Sequence, residues 1–176
     1  MSLQTHFERL GLAKRFGLDP AELERAYLAR SRVVHPDYHS AGSDSELAAS
    51  LELSAALNEA YNTLRDPFRR ADYLLGLEGG PSASDHKQMP PAFLAEMLEA
   101  RERIEESRGK PAEVAKLDAE FGSRFETIMK QVGLLFTKAE QFPAGDRERA
   151  NLLTQVRGLL NAAKYVRGLL RDLHAD

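Results

Sequence analysis

Apolar residues recur along this chain every three or four positions, and no run alternates apolar and polar residues as a half-buried strand would. Helices are therefore predicted from end to end. Phe7 and Leu10 mark a first short helix that ends near Gly11. Asp19, Pro20 and Glu22 supply the next start: an N-cap, a proline at the first helical position, and an acid three residues after the cap. That second helix runs to about Val34 with Leu23, Ala26, Tyr27 and Val34 on one face, and Pro36 stops it. A polar stretch from Tyr38 to about Asp44 reads as a loop. A long helix follows with Leu47, Leu51, Leu57, Tyr61 and Leu64 as core positions, interrupted at Pro67, and Phe68 to Leu77 continue as a further helix.

From Glu78 to Pro91 the composition shifts to Gly79, Gly80, Pro81, Ser82, Ser84, Pro90 and Pro91, the signature of a linker. Three more helices are predicted beyond it, about Ala92 to Arg108, Ala112 to Phe142 and Arg147 to Leu173. Gly109 and Pro111 make the first break, Pro143 and Gly145 the second. Short breaks between long helices imply antiparallel neighbours in a small bundle. The fold class is all-α, with domains at 1–77 and 92–176 and a linker at 78–91.

Composition narrows the function classes. With 43% hydrophobic and 29% charged residues in 176, the chain can bury a core and keep a solvated surface. No apolar run approaches the roughly 18 residues that span a bilayer, so no membrane role is expected. Net charge is −3 and the basic residues are dispersed, which gives no footprint for nucleic acid. The absence of cysteine excludes disulfides, thiolate metal sites and a cysteine nucleophile. The N-terminus lacks the basic-then-apolar pattern of a signal peptide, so the expected compartment is the cytoplasm.

Among the histidines only His35 and His39 are near one another, and the intervening proline breaks the i, i+4 spacing of a helical metal pair. No metal and no cofactor are expected. Neither a phosphate-cradling glycine motif, a nucleophile elbow nor a carboxylate pair emerges, so an enzyme is not expected. The Glu–Lys and Glu–Arg neighbours of the C-terminal helices read as solvated faces.

Two surfaces stand out. His35-Pro36-Asp37 falls at the tip of a predicted helical hairpin, and Arg25 and Arg32 share the helix face opposite Leu23. The arginines serve either solubility or steering toward an acidic partner. On the helix near Ala92, Phe93, Met97, Ala100 and Ile104 form one narrow stripe. Leu94 and Leu98 lie about 90–130° around from its centre at 100° per residue, in a sector that continues into Glu99, Glu102 and Glu106. Two readings fit them, a wider buried face or an exposed apolar patch with an acidic rim.

The residues Ala26-Tyr27 and Val34-His35-Pro36-Asp37, followed by Leu57-Asn58-Glu59-Ala60-Tyr61-Asn62-Thr63-Leu64-Arg65-Asp66-Pro67, resemble the J-domain family. Arg70-Ala71-Asp72-Tyr73-Leu74-Leu75-Gly76-Leu77-Glu78-Gly79 is similar to its iron–sulfur co-chaperone subfamily, HscB, whose members carry a three-helix C-terminal domain of this size. Tyr38 stands where many J-domains have Lys, and Arg30 where Leu is common.

The resemblance implies an L-shaped, two-domain protein in which the tripeptide docks on an ATP-bound chaperone of the HscA or DnaK type and promotes ATP hydrolysis there. Asp37 would pair with a partner arginine, Pro36 would preset the loop and His35 would complete the contact. The resemblance also implies that an IscU-type scaffold is held at Leu94, Leu98, Glu99, Glu102 and Glu106, with Tyr165 as an aromatic neighbour, for iron–sulfur cluster assembly. A different client of a general chaperone system, or a helical bundle with a fortuitous tripeptide, are the competing readings.

Overall fold

The structure is a computed structural model that describes residues 4–34, 44–86 and 88–175. Among these residues it holds seven helices and no strand: α1 His6–Leu10, α2 Pro20–Val34, α3 Asp44–Arg65, α4 Pro67–Leu77, α5 Pro91–Ser107, α6 Pro111–Ala139 and α7 Arg147–Leu173. They form two compact units, Met1–Leu74 and Leu75–Asp176, and the division falls inside α4.

Local chemistry sets the helix ends of the first unit. Thr5 and Glu8 form a reciprocal capping box on α1, with Glu8 N–H donating to Thr5 Oγ1 at 3.2 Å and Thr5 N–H donating to Glu8 Oε2 at 2.8 Å. Gly11 closes the same helix at φ 70, and Leu12 N–H donates to Phe7 C=O at 2.9 Å. Asp19 caps α2 by accepting from Ala21 N–H at 3.0 Å. The expected box partner, Glu22, instead points to Arg15 at 3.5 Å. A salt bridge from the preceding loop competes with the backbone for that carboxylate.

α2 and α3 pack antiparallel. Tyr27 Oη donates to Asn58 Oδ1 at 2.8 Å, its ring stacks on Tyr61 at 4.2 Å, and the end of α2 meets the first half of α3. Phe7, Leu10, Leu23, Leu57, Ala60 and Leu64 fill the core between α1, α2 and α3. Leu47 and Leu51 do not join it, being 39% and 53% exposed. Leu47 lies before Ser50 and Ser54, where α3 meets the end of α2, and Leu51 points half a turn away from the buried Ala60.

α4 starts on Asp66, whose carboxylate accepts from Phe68 N–H at 2.8 Å and Arg69 N–H at 3.2 Å. Arg70 is buried, donates to Leu64 C=O at 2.7 Å and lies 5.0 Å over the Phe16 ring. Tyr73 Oη accepts from His6 N–H at 2.9 Å while the two rings stack at 4.2 Å. These contacts explain the Arg-Ala-x-Tyr run: its arginine and tyrosine tie α4 to α1 and to the end of α3. Gly79, at φ 73, ends α4 in the left-handed conformation, with Gly80 N–H donating to Leu75 C=O at 2.9 Å.

In the second unit α6 and α7 form a long antiparallel pair and α5 packs on both. Phe121, Val132, Leu152, Val156, Leu160, Val166 and Leu169 are fully buried between them. α6 stops at Ala139, short of the expected Phe142. Pro143 disfavours helical geometry at Phe142, the chain tightens with Phe142 N–H donating to Ala139 C=O at 3.1 Å, and Arg149 of α7 donates to the Ala139 and Phe142 carbonyls at 2.9 Å each. Arg149 also pairs with Glu78, Arg157 Nε donates to Pro81 C=O at 2.9 Å, and Asn161 donates to His86 C=O. The segment read as a linker is thus fastened along α7 as far as His86. Arg149 and Arg157 correct the expectation that the charges of these helices are all solvated.

Leu64→Ala should lower stability by about 2–5 kcal/mol in denaturant titration, whereas Leu51→Ala should stay within about 0.5 kcal/mol of wild type. Burial pushes the His6 pKa below its ordinary value, with Arg9 and Arg69 adding to that effect and Glu59 opposing it. The unfolded chain therefore takes up this proton first, and the stability of the packed neutral ring is intact above pH 6.5 and is lost as pH falls below it. Melting curves at pH 7.5 and 5.5 should show a larger drop for wild type than for His6→Phe, which keeps the stack on Tyr73.

Candidate functional site

His35, Pro36, Asp37 and Tyr38 lie outside the described residues. What flanks them is well defined. α2 ends at Val34, and its carbonyl accepts Ser50 Oγ at 2.7 Å and Ser54 Oγ at 2.9 Å, both from α3. Arg25 and Arg32 are exposed on α2, seven residues and therefore about 10 Å apart along the axis. Leu28 is exposed on the same side. The result is a basic stripe with an apolar member, on the side of α2 opposite the buried Leu23. Arg30 is not part of it: its guanidinium lies against Gly11, where a Cβ would sit 2.5 Å from Nη2. An arginine where leucine is common is thus accommodated by a glycine that also closes α1. Ser50 and Ser54 were not singled out in the sequence, although their four-residue spacing was visible there.

The second surface is α5. Its stripe of Met97, Ala100 and Ile104 is buried, as the periodicity predicts, and Phe93 is half-buried. Leu94 and Leu98 are 42% and 60% exposed, which decides between the two readings in favour of an open apolar patch.

The acidic residues of α5 divide into two sets. Glu96 and Arg103 face α6, where Arg124 makes a two-armed bond to Glu96 at 2.6 and 2.8 Å and Arg103 makes one to Glu120 at 2.8 and 2.6 Å. Hydrogen bonds from these guanidinium groups hold the Glu96 and Glu120 carboxyls below their ordinary pKa. Glu105 is taken up by Arg108 at 2.7 Å. Glu99, Glu102 and Glu106 are exposed and enter no ion pair among the described residues. Internal pairing thus leaves these three without a salt bridge among the described residues, on the side of Leu98 away from the exposed Arg101.

Tyr165 of α7 is 39% exposed and meets α5 through Phe93, ring edge to ring face at 5.6 Å. Arg124 covers the Phe93 ring at 5.6 Å. The structure therefore brings Tyr165 to the N-terminal half of α5, beside the stretch that carries Leu94 and Leu98. Phe93 also lines an open apolar groove of 630 Å³ with Met89, Leu134, Leu135 and Leu159, which no sequence pattern announced. The exposed groups of α5 are apolar, acidic and, at Arg101 on the Leu94 side, basic, and the chemistry they offer is non-covalent docking.

Comparison with known proteins places the chain in a lineage. Residues 89–173 match the family model described as the HSCB C-terminal oligomerisation domain. A protein of Bordetella petrii named co-chaperone protein HscB homolog is 34% identical over 149 residues, 84% of this chain and 88% of that relative. Its namesake in Bordetella pertussis is 40% identical over 121 residues, 68% of this chain and 71% of that one. Among solved structures, chaperone HscB from Vibrio cholerae superimposes with a TM-score of 0.76 at 26% identity, covering 96% of this chain and 94% of the other. Human co-chaperone protein HscB shares the fold, with a TM-score of 0.81 over 98% of this chain and 82% of that one, at 24% identity. No helix among the described residues is long and apolar enough to cross a membrane. With such identity running over most of its length, this chain belongs to the HscB co-chaperone family.

Proposed function

We propose that the chain uses His35-Pro36-Asp37, with Arg25 and Arg32, to stimulate the ATPase of an HscA- or DnaK-type chaperone. On this reading it delivers an IscU-type scaffold, held on α5, to that chaperone during iron–sulfur cluster assembly in the cytoplasm. The chaperone carries out the ATP chemistry and this chain supplies contacts.

The observation that carries the scaffold half is the division of charge on α5. Glu96 is bound to Arg124, while Glu99, Glu102 and Glu106 stand exposed beside Leu94 and Leu98. An apolar centre with a charged rim is the anatomy of a specific interface. The apolar part contributes by leaving water, and the acidic rim selects a basic partner and speeds encounter. Tyr165 adds an amphipathic ring of the kind enriched at such sites. On the chaperone half, the exposed Arg25 and Arg32 offer steering toward an acidic surface, and Asp37 offers a charge-assisted bond to an arginine.

Adding the purified chain to an HscA-type chaperone should raise steady-state ATP hydrolysis, and adding an IscU-type scaffold as well should raise it beyond the sum of the separate effects. His35→Gln should remove the stimulation while leaving the melting curve unchanged; equal stimulation by wild type and variant would end the chaperone reading. Leu94→Ala with Leu98→Ala should weaken scaffold binding by at least about tenfold, because each leucine is a candidate hot spot, and should leave stimulation by the chain alone unaltered. Unchanged scaffold retention by that variant would point to another client.

A further inference from the structure

α5 begins without a side-chain cap. Its N-cap is Pro90, which has no side-chain acceptor to offer the first amides of the helix. α7, by contrast, starts on Asp146, whose carboxylate accepts from Glu148 N–H at 2.7 Å. Burial also starts late in α5. None of residues 91–96 is buried, Phe93 is half-buried, and Met97 is the first core residue of the helix. A helix end with few buried contacts opens locally at little cost. Yet this stretch carries Leu94 and leads directly into Leu98.

Arg124 of α6 grips that stretch. Its guanidinium binds both carboxylate oxygens of Glu96, at 2.6 and 2.8 Å, and its Cζ lies 5.6 Å from the centre of the Phe93 ring. Phe93 in turn meets the Tyr165 ring of α7 at 5.6 Å, edge to face. Positions 93 and 96 are one turn apart and bracket Leu94, so holding both fixes the rotation of the turn that presents it. A planar guanidinium offers the fork for the carboxylate and a flat cationic face for the ring at once. We infer that Arg124 is a positioning residue for scaffold docking: a clamp from α6 that orders the start of α5 and holds Leu94, Leu98 and Tyr165 in one surface. The inference rests on the scaffold reading above and deepens it. A half-exposed pair adds little to global stability. Where local order is marginal, the same contact shifts the ordered fraction, and apparent affinity scales with that fraction. Arg103 and Glu120 supply a matched comparison. They make the same two-armed bond between α5 and α6, at 2.8 and 2.6 Å, but beside the buried Ala100 and Ile104, where the helix is already anchored.

The test measures binding of an IscU-type scaffold by calorimetry, and amide hydrogen exchange of the free full-length chain, for wild type, Arg124→Met, Arg124→Lys, Glu96→Gln and Arg103→Met. Arg124→Met should bind the scaffold about fivefold more weakly, in line with the loss of one exposed ion pair and one cation–π contact. Amides of residues 94–98 should exchange faster in that variant, with protection in α7 unchanged. Arg124→Lys keeps the charge but not the fork, and should fall between Arg124→Met and wild type. Arg103→Met removes the same charge and the same two-armed bond, and should bind like wild type. Arg124→Met binding equal to wild type, or an equal loss in Arg103→Met, would overturn the clamp and leave the scaffold reading intact. Should Arg124→Met not fold, Glu96→Gln and Arg124→Lys carry the test: both must weaken binding more than Arg103→Met does, or the clamp is wrong. Absence of scaffold binding by wild type would remove both readings.

Discussion

Burial of Met97, Ala100 and Ile104 against α6 and α7 sets the rotation of α5 about its own axis, and the composition of its outer face follows. A helix presents about 100° of turn per residue, so a stripe committed inward sends Leu94, Leu98, Glu99, Glu102 and Glu106 outward together. The two-armed bonds from Arg124 to Glu96 and from Arg103 to Glu120 reinforce the same rotation from one side. Being about half exposed, each pair contributes little stability, on the order of 0.2–1 kcal/mol. Their larger effect is on charge: they neutralise Glu96 and Glu120 and leave Glu99, Glu102 and Glu106 without a salt bridge among the described residues.

A similar economy of contacts shapes the first unit. Tyr27 meets Asn58 and Tyr61, and the end of α2 meets Ser50 and Ser54, so two helices are joined both at mid-length and at the last residue of α2. Arg70 and Tyr73 bind α4 to the same body through the end of α3 and the start of α1. Arg25, Leu28 and Arg32 are left on the side of α2 that packing does not use. In both units, the proposed docking surfaces consist of what the core leaves over, on the outer faces of regular helices.

The C-terminal unit holds its margins with buried and half-buried arginines rather than with caps alone. Arg149 satisfies two carbonyls at the end of α6 and pairs with Glu78, and Arg157 holds Pro81. A guanidinium can serve several acceptors at once, which makes it suited to the frayed end of one helix and the extended chain that passes beside it.

Helix number, helix starts, the α5 stripe and the family resemblance were legible in the residues, because period, capping and motif spacing are local properties read within a few turns. Pro20 announced a helix start, while Pro67, Pro91 and Pro111, read as breaks or linker ahead of helices at Phe68, Ala92 and Ala112, are themselves the first residues of α4, α5 and α6. What lay beyond that reach depended on which elements meet. Leu47 and Leu51 were read as core positions yet stand exposed: Leu47 precedes the stretch of α3 that meets the end of α2, and Leu51 faces half a turn away from the buried Ala60. Arg149 and Arg157 look like surface charges until carbonyls from another segment are brought to them. The openness of Leu94 and Leu98, ambiguous in the sequence, was settled by α6 and α7 packing on one side of α5 and leaving the other uncovered. Short-range rules can name the faces of a helix, but solvent exposure is set by partners far away in the chain.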